Sequence, residues 1–300
     1  MDRTQYKCCR RGANLRRKRR RHRKIRSSVI FSCSIIAVAV FVIVGSRIIT
    51  SGDGGTNKYD VEAGNNTYDN ADIENTKISE KNKIQNNQSM LDDIMNSTQY
   101  PKQLQELALK NEEALEFVYD YPTEHVKEHI VDLTEEASMD SVPLFVQWDK
   151  RWGYEKYSGN FFAASGCGPT TLSMIVVYLT HNRDASPLAV AKYSKEAGYS
   201  VDGSGSSWTL ISEGCRHYGV KAKTVALDES RMKVELDAGH PIVVNVGPGD
   251  FTDTGHFMVI TGYDDEGFSI NDPNSIEKSG KRWLFKNISS QIRAVWSMYV

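Results

Sequence analysis

A cysteine stands between two glycines in Ser165-Gly166-Cys167-Gly168-Pro169-Thr170-Thr171, and a proline follows two positions later. The next run, Thr171-Leu172-Ser173-Met174-Ile175-Val176-Val177-Tyr178-Leu179, is mostly apolar, holds no glycine or proline, and reads as a helix. Proline is favoured in the first turn of a helix, where its missing N–H costs nothing. Cys167 is therefore expected at a helix N-terminus, where unpaired N–H groups and the helix dipole stabilise negative charge. A thiol so placed can ionise well below its ordinary value of ~8.5 and act as a nucleophile at neutral pH. Cys215 is the only other cysteine beyond residue 50, and a disulfide between the two is the competing use of Cys167.

A nucleophilic thiol needs a base within reach, and the base needs a third group to orient it. The candidate bases are His181, His217, His240 and His256. His181 follows the Cys167 helix, His217 lies near a helix end, and His240 sits in the turn Gly239-His240-Pro241. His256 heads an alternating run after Gly255, and Asp272 closes the next run in Ile270-Asn271-Asp272-Pro273. Asn271 and Asn274 are the other available orienters. Gly262-Tyr263-Asp264-Asp265-Glu266 reads as a hairpin connection. A hairpin centred on Asp264 puts His256 and Asp272 directly opposite, with β-carbons about 4.5–5.5 Å apart. A centre one or two residues later loses the match unless a bulge restores it.

Residues 140–300 must supply the elements that hold these groups. Helices are expected from Pro187 to about Gly198, from Trp208 to Tyr218 with Gly219 closing it, and from Glu229 to Ala238 with Gly239 as its stop. Strands are expected at Val220 to Leu227, Ile242 to Val246, His256 to Tyr263, Gly267 to Asn271, and near Ala294 to Tyr299. Helices first and strands later predict an α+β domain. Ahead of it, residues 98–139 predict a helix on Leu104, Leu107, Ala108, Leu115 and Val118, ended at Pro122, and a weaker one from Glu124 to Leu133. That segment has little core of its own and is expected to pack on the next domain.

The N-terminal part has another character. Residues 1–26 hold thirteen Lys or Arg against Asp2 alone, and no charge occurs between Arg26 and Arg47. Residues 27–49 thus match the ~20 apolar residues that span a bilayer. The basic block predicts a cytoplasmic N-terminus, so the rest of the chain is expected outside the cell. Residues 50–97, rich in Asn, Asp, Ser, Lys and Gly, read as a flexible linker. The near-neutral charge of residues 140–300 argues against nucleic acid as a partner. No zinc-type Cys/His spacing is present, and no cofactor is implied.

The ordered set Gly166-Cys167-Gly168-Pro169-Thr170, Gly255-His256-Phe257 and Asn271-Asp272-Pro273 resembles the double-glycine peptidase family of papain-like cysteine peptidases. The resemblance is closest to stand-alone, membrane-anchored bacterial members. Val142-Pro143-Leu144-Phe145-Val146-Gln147-Trp148-Asp149 and Ser206-Ser207-Trp208 fit that subgroup. It covers roughly residues 98–300. It implies Cys167 as nucleophile, His256 as general base, Asp272 as orienter, and Gln147 as oxyanion donor beside the Cys167 backbone N–H. It also implies peptide or protein substrates and a thioester intermediate. The transporter members of the family act on leader peptides, but this chain has no Walker motif. Two other uses of the scaffold are an amidase or endopeptidase acting on cell-wall peptides, and a catalytically silent binding ectodomain.

Overall fold

The computed structural model describes residues 69–300. The basic tail, the apolar stretch 27–49 and the first part of the expected linker lie outside the described residues. Among the described residues, no helix is long and apolar enough to cross a membrane.

The second part of the expected linker is not a linker. Asp69–Asn96 forms a helix of 28 residues, α1. No glycine or proline interrupts those residues, and one face of the last two turns carries Met90, Leu91 and Ile94. Ile94 is fully buried in a cluster with Leu104, Leu107 and Val118. Tertiary anchoring of one end thus holds a helix whose composition is almost wholly polar.

The expected single helix up to Pro122 is broken. It runs only over Lys102–Lys110, α2. Asn111 is extended at φ −136° and its side chain accepts from the Glu113 N–H, which starts a new turn. Pro122 then lies in the first turn of the short helix Tyr121–Glu124 rather than stopping one. The expected helix from Glu124 to Leu133 is absent, and only Thr134–Ala137 is helical there.

Two further helices follow, α3 at Cys167–Thr180 and α4 at Pro187–Glu196. The helix expected over Trp208 to Tyr218 splits at Glu213 into Thr209–Ser212 and a 3₁₀ turn over Gly214–Tyr218. The chain then enters strand β1, Lys221–Thr224, and helix α5, Glu229–Asp237, which Asp228 caps by accepting from Arg231 N–H. Strands β2 (Ile242–Val246), β3 (His256–Asp264), β4 (Gly267–Asn271), β5 (Arg282–Trp283) and β6 (Ile292–Tyr299) complete the main sheet. All pair antiparallel in the order β1-β6-β2-β3-β4-β5.

One sheet face packs on α3. Leu172, Ile175 and Val176 share a cluster with Val243, Phe257, Val259 and Met298. The other face, with Val244, Met258, Ile260 and Ile270, is covered by Met232 of α5 and by Ile288. Such an α+β arrangement fixes the N-terminus of α3 near the ends of β2 and β3. A third cluster joins α1 and α2 to Phe161 and Ala163, just ahead of α3.

Candidate active site

Packing dictates the glycines around Cys167. A β-carbon on Gly166 would lie 2.4 Å from the Phe162 ring, and one on Gly168 would lie 2.5 Å from Ser206 Oγ. Both distances are below anything van der Waals contact allows, so α3 begins where two other segments press against its first turn. Cys167 is the first residue of α3, half-buried and a free thiol. Its N–H is one of the first-turn groups a helix leaves without an internal partner. Cys215 is also a free thiol, fully buried; the disulfide alternative is not formed.

His256 opens β3 opposite Val246 of β2. It is buried, and its Nε2 pairs with Asp272 Oδ1 at 2.6 Å. The pairing does not arise from the directly opposed positions of a hairpin centred on Asp264. The connection is centred later, with Asp264 facing Gly267. Carried on without a break, that register would set Asp272 opposite Val259, on the other face from His256. A register shift between Ile260 and Gly262 leaves Val259 facing Asn271 instead. Asp272 therefore continues on the face of Met258 and His256, diagonal to the histidine, a spacing two side chains can bridge. The chain then turns back, with Asp272 in an isolated bridge to Ser275.

The electrostatics follow from this placement. Burial is the largest influence on the Cys167 thiol and pushes its pKa up. The hydrogen bond and charge of His256, with the Phe257 and Gly168 backbone N–H groups, outweigh it and leave the thiol below its ordinary value. Burial also works against the charged form of His256, but the Asp272 charge and hydrogen bond, aided by Cys167, raise it to about 10. Asp272 occupies Nε2, so Nδ1 is the nitrogen available to the thiol. Both shifts favour a thiolate–imidazolium pair.

Gln147 is buried beside the same site. Its backbone N–H donates to Pro273 O at 2.7 Å. Its side-chain Nε2 donates to Ala163 O at 2.7 Å and to Asn274 Oδ1 at 3.3 Å, while its Oε1 has no partner. Asn274 does not orient the histidine as an alternative to Asp272. Its N–H instead donates to Asp272 Oδ1 at 2.8 Å, and its carbonyl accepts from Trp148 Nε1 at 3.2 Å. Asn271 is turned away, donating to the Val142 and Pro143 carbonyls. His181, His217 and His240 lie elsewhere, bonded or stacked to Ala137 O, Tyr193 and Glu235 respectively.

Two adjoining hollows meet at Cys167. One, about 440 Å³, is lined by Gln147, His256 and Asn274, by the segment 249–255, and by Gln103 and Glu106 of α2. The other, about 800 Å³, lies under the glycine–serine loop 203–206, Trp208 and Phe257. An extended chain crossing the thiol would occupy both. The wall contributed by α2 and the role of Asn274 had no local sequence signal, since each depends on contacts far along the chain.

The Peptidase_C39 like family model matches residues 139–300. No curated protein matches the chain. Among solved structures, the peptidase domain of Streptococcus ComA, a bi-functional ABC transporter involved in a quorum sensing pathway, is 19% identical, with a TM-score of 0.39, covering 53% of this chain and 96% of that one. A protein from Bacillus anthracis described as a C39-like peptidase is 18% identical, with a TM-score of 0.32, covering 53% and 95%. The family match extends over more than half of the chain and takes in Gln147, Cys167, His256 and Asp272 together, and the chain belongs to the Peptidase_C39 like family.

Proposed function

We propose that the protein is a cysteine peptidase that hydrolyses peptide bonds through a thioester. The observation that carries this reading is His256, clamped by Asp272 and set against the Cys167 thiol where the two hollows meet. The Cys167 thiolate adds to the peptide carbonyl carbon, and the carbonyl electron pair moves onto oxygen. The Cys167 N–H and the Gln147 amide receive that oxyanion. In the resting site both Gln147 N–H groups are bonded, one at 3.3 Å to a neutral amide oxygen. An oxyanion is the stronger acceptor, so this longer bond is the one exchanged. His256 gives its Nδ1 proton to the leaving nitrogen as the C–N bond breaks. Water then attacks the thioester, His256 takes its proton, and the C–S bond breaks to release the acid.

The apolar run between Arg26 and Arg47 and the basic block before it support a single-pass anchor at residues 27–49, with the peptidase domain outside the cell. Full-length protein and its Cys167→Ala variant, incubated with a proteome-derived peptide library, test the activity. New termini that depend on Cys167 are expected, and identical digests from both proteins refute it. Protease added to intact cells is expected to remove the C-terminal domain and spare the tail.

A further inference from the structure

Asn111 comes from the turn after α2, outside the residues matched by the family model. Its Nδ2 donates to the Asn274 carbonyl at 2.9 Å and to Asn274 Oδ1 at 3.1 Å. Asn274 Oδ1 therefore has two donors: Asn111 at 3.1 Å, and Gln147 Nε2 at 3.3 Å. Its backbone N–H meanwhile holds Asp272 Oδ1, the oxygen that holds His256. Asn274 thus ties the orienting carboxylate to the amide assigned to the oxyanion. The grip on this turn is reinforced by Glu113, whose carboxylate accepts from Ser275 Oγ and from the N–H groups of Ile276 and Glu277 at 2.7 and 3.1 Å.

We infer that Asn111 is a positioning residue for the peptidase reaction, and the inference rests on the cysteine peptidase reading. When Gln147 hands its second N–H to the oxyanion, Asn274 Oδ1, half-buried on the wall of the 440 Å³ hollow, would face the substrate-filled cleft without a donor, were Asn111 not there. An acceptor that bound substrate shuts off from water and that loses its donor is costly, and that cost would fall on the transition state alone. Asn111 keeps the acceptor satisfied, so the amide is released at little cost. The same bonds hold the backbone that carries Asp272. The segment before the family domain is in this way part of the catalytic apparatus rather than an appendage to it.

Asn111 also caps the turn behind α2, its Oδ1 accepting from Glu113 N–H at 3.0 Å. Asn111→Asp keeps that capping oxygen and the side-chain shape, removes the donor, and adds a charge. Asn111→Ala, which removes the donor without adding charge and gives up the capping oxygen, is the uncharged control, and its urea midpoint reads the loss of the cap. The full chain is compared with both, and with Gln147→Ala, on a synthetic copy of the library peptide cleaved fastest. The donor-less variant is expected to lose about tenfold or more in kcat with KM little changed. In a Gln147→Ala background the same change is expected to have a much smaller effect, because no amide remains to be released. A structural role alone would lower the urea midpoint and act equally in both backgrounds. Unchanged kcat, or full additivity with Gln147→Ala, overturns the inference while leaving the peptidase reading intact. A library digest that does not depend on Cys167 overturns both.

Discussion

The replacement Asp272→Asn separates the charge of the carboxylate from its shape. Oδ1 accepts from His256 Nε2 at 2.6 Å and from the Asn274 N–H at 2.8 Å, and Oδ2 has no partner. An asparagine with its oxygen at the first position keeps both bonds and places its NH₂ where nothing was bonded. What is lost is the negative charge, the largest of the influences that raise His256 to about 10 against the opposing effect of burial, the Asp272 hydrogen bond and Cys167 being the others. Without it, burial is opposed only by the retained hydrogen bond and by Cys167, and the histidine falls from about 10 toward its ordinary value. At pH 8 a group titrating near 10 is almost wholly protonated, and one titrating near 6.5 is protonated in only about 3% of molecules. The thiolate–imidazolium pair, and kcat/KM with it, should fall at that pH, by up to about thirtyfold where the histidine returns fully to its ordinary value. The sign on each limb is fixed. The alkaline limb moves down from about 10, and the acid limb moves up, because an uncharged His256 no longer lowers the thiol. The assay is kcat/KM on a cleaved peptide across pH 5 to 11, with the iodoacetamide rate of Cys167 marking the thiol. An alkaline limb still near 10 in the variant would show that Asp272 is not what charges His256.

Two further outcomes follow from the packing around α3. Iodoacetamide at pH 7.5 should modify Cys167 well before Cys215, whose burial pushes its thiol up to about 11 while Cys167 lies below its ordinary value; peptide mapping of the alkylated chain that found equal rates would remove the thiolate from the argument. Gly168→Ala should destabilise the fold by roughly 1–3 kcal/mol, because its β-carbon would sit 2.5 Å from Ser206 Oγ, which is itself bonded to Tyr157 OH at 2.6 Å. An unchanged urea midpoint would mean that the 203–206 loop yields freely.

The parts of the site that local sequence could show are those carried by local signals. Gly166-Cys167-Gly168-Pro169 fixes where α3 starts, and Gly239 at φ 79° ends α5 as a C-terminal glycine should. The pairing of His256 with Asp272 depends instead on hairpin register. One extra residue near Thr261 decides which face Asp272 joins, and no residue there announces a bulge. The helix 69–96 was illegible for a related reason. Its composition is that of a solvated spacer, and its order rests on Ile94 meeting Leu104 and Val118 in a separate element. Asn111 is the extreme case: its partner Asn274 lies 163 residues away. A single asparagine before two glutamates reads only as a helix cap.

The distribution of unpaired polar atoms supports the same division of labour. Among the described residues three buried side-chain atoms have no partner: Gln147 Oε1, Thr171 Oγ1 and Asp272 Oδ2. Two of the three belong to the site. Each such atom costs about 1–3 kcal/mol, so their concentration needs a cause. For Gln147 the cause lies in its neighbours. Turning the amide over would give Oε1 new surroundings but press it against Ala163 O and Asn274 Oδ1, which are both acceptors. One orphaned oxygen is less costly than two opposed acceptor pairs with two N–H groups left over. The neighbours therefore hold the amide with its donors toward Ala163 and Asn274, one firmly at 2.7 Å and one loosely at 3.3 Å. A rigid bond and an exchangeable one on the same nitrogen are what an oxyanion donor requires: the first keeps the group in place, and the second can be given up when charge develops. Asn111 is a second donor to that same acceptor, Asn274 Oδ1, at 3.1 Å, which on the inference drawn above keeps it bonded when the amide is exchanged.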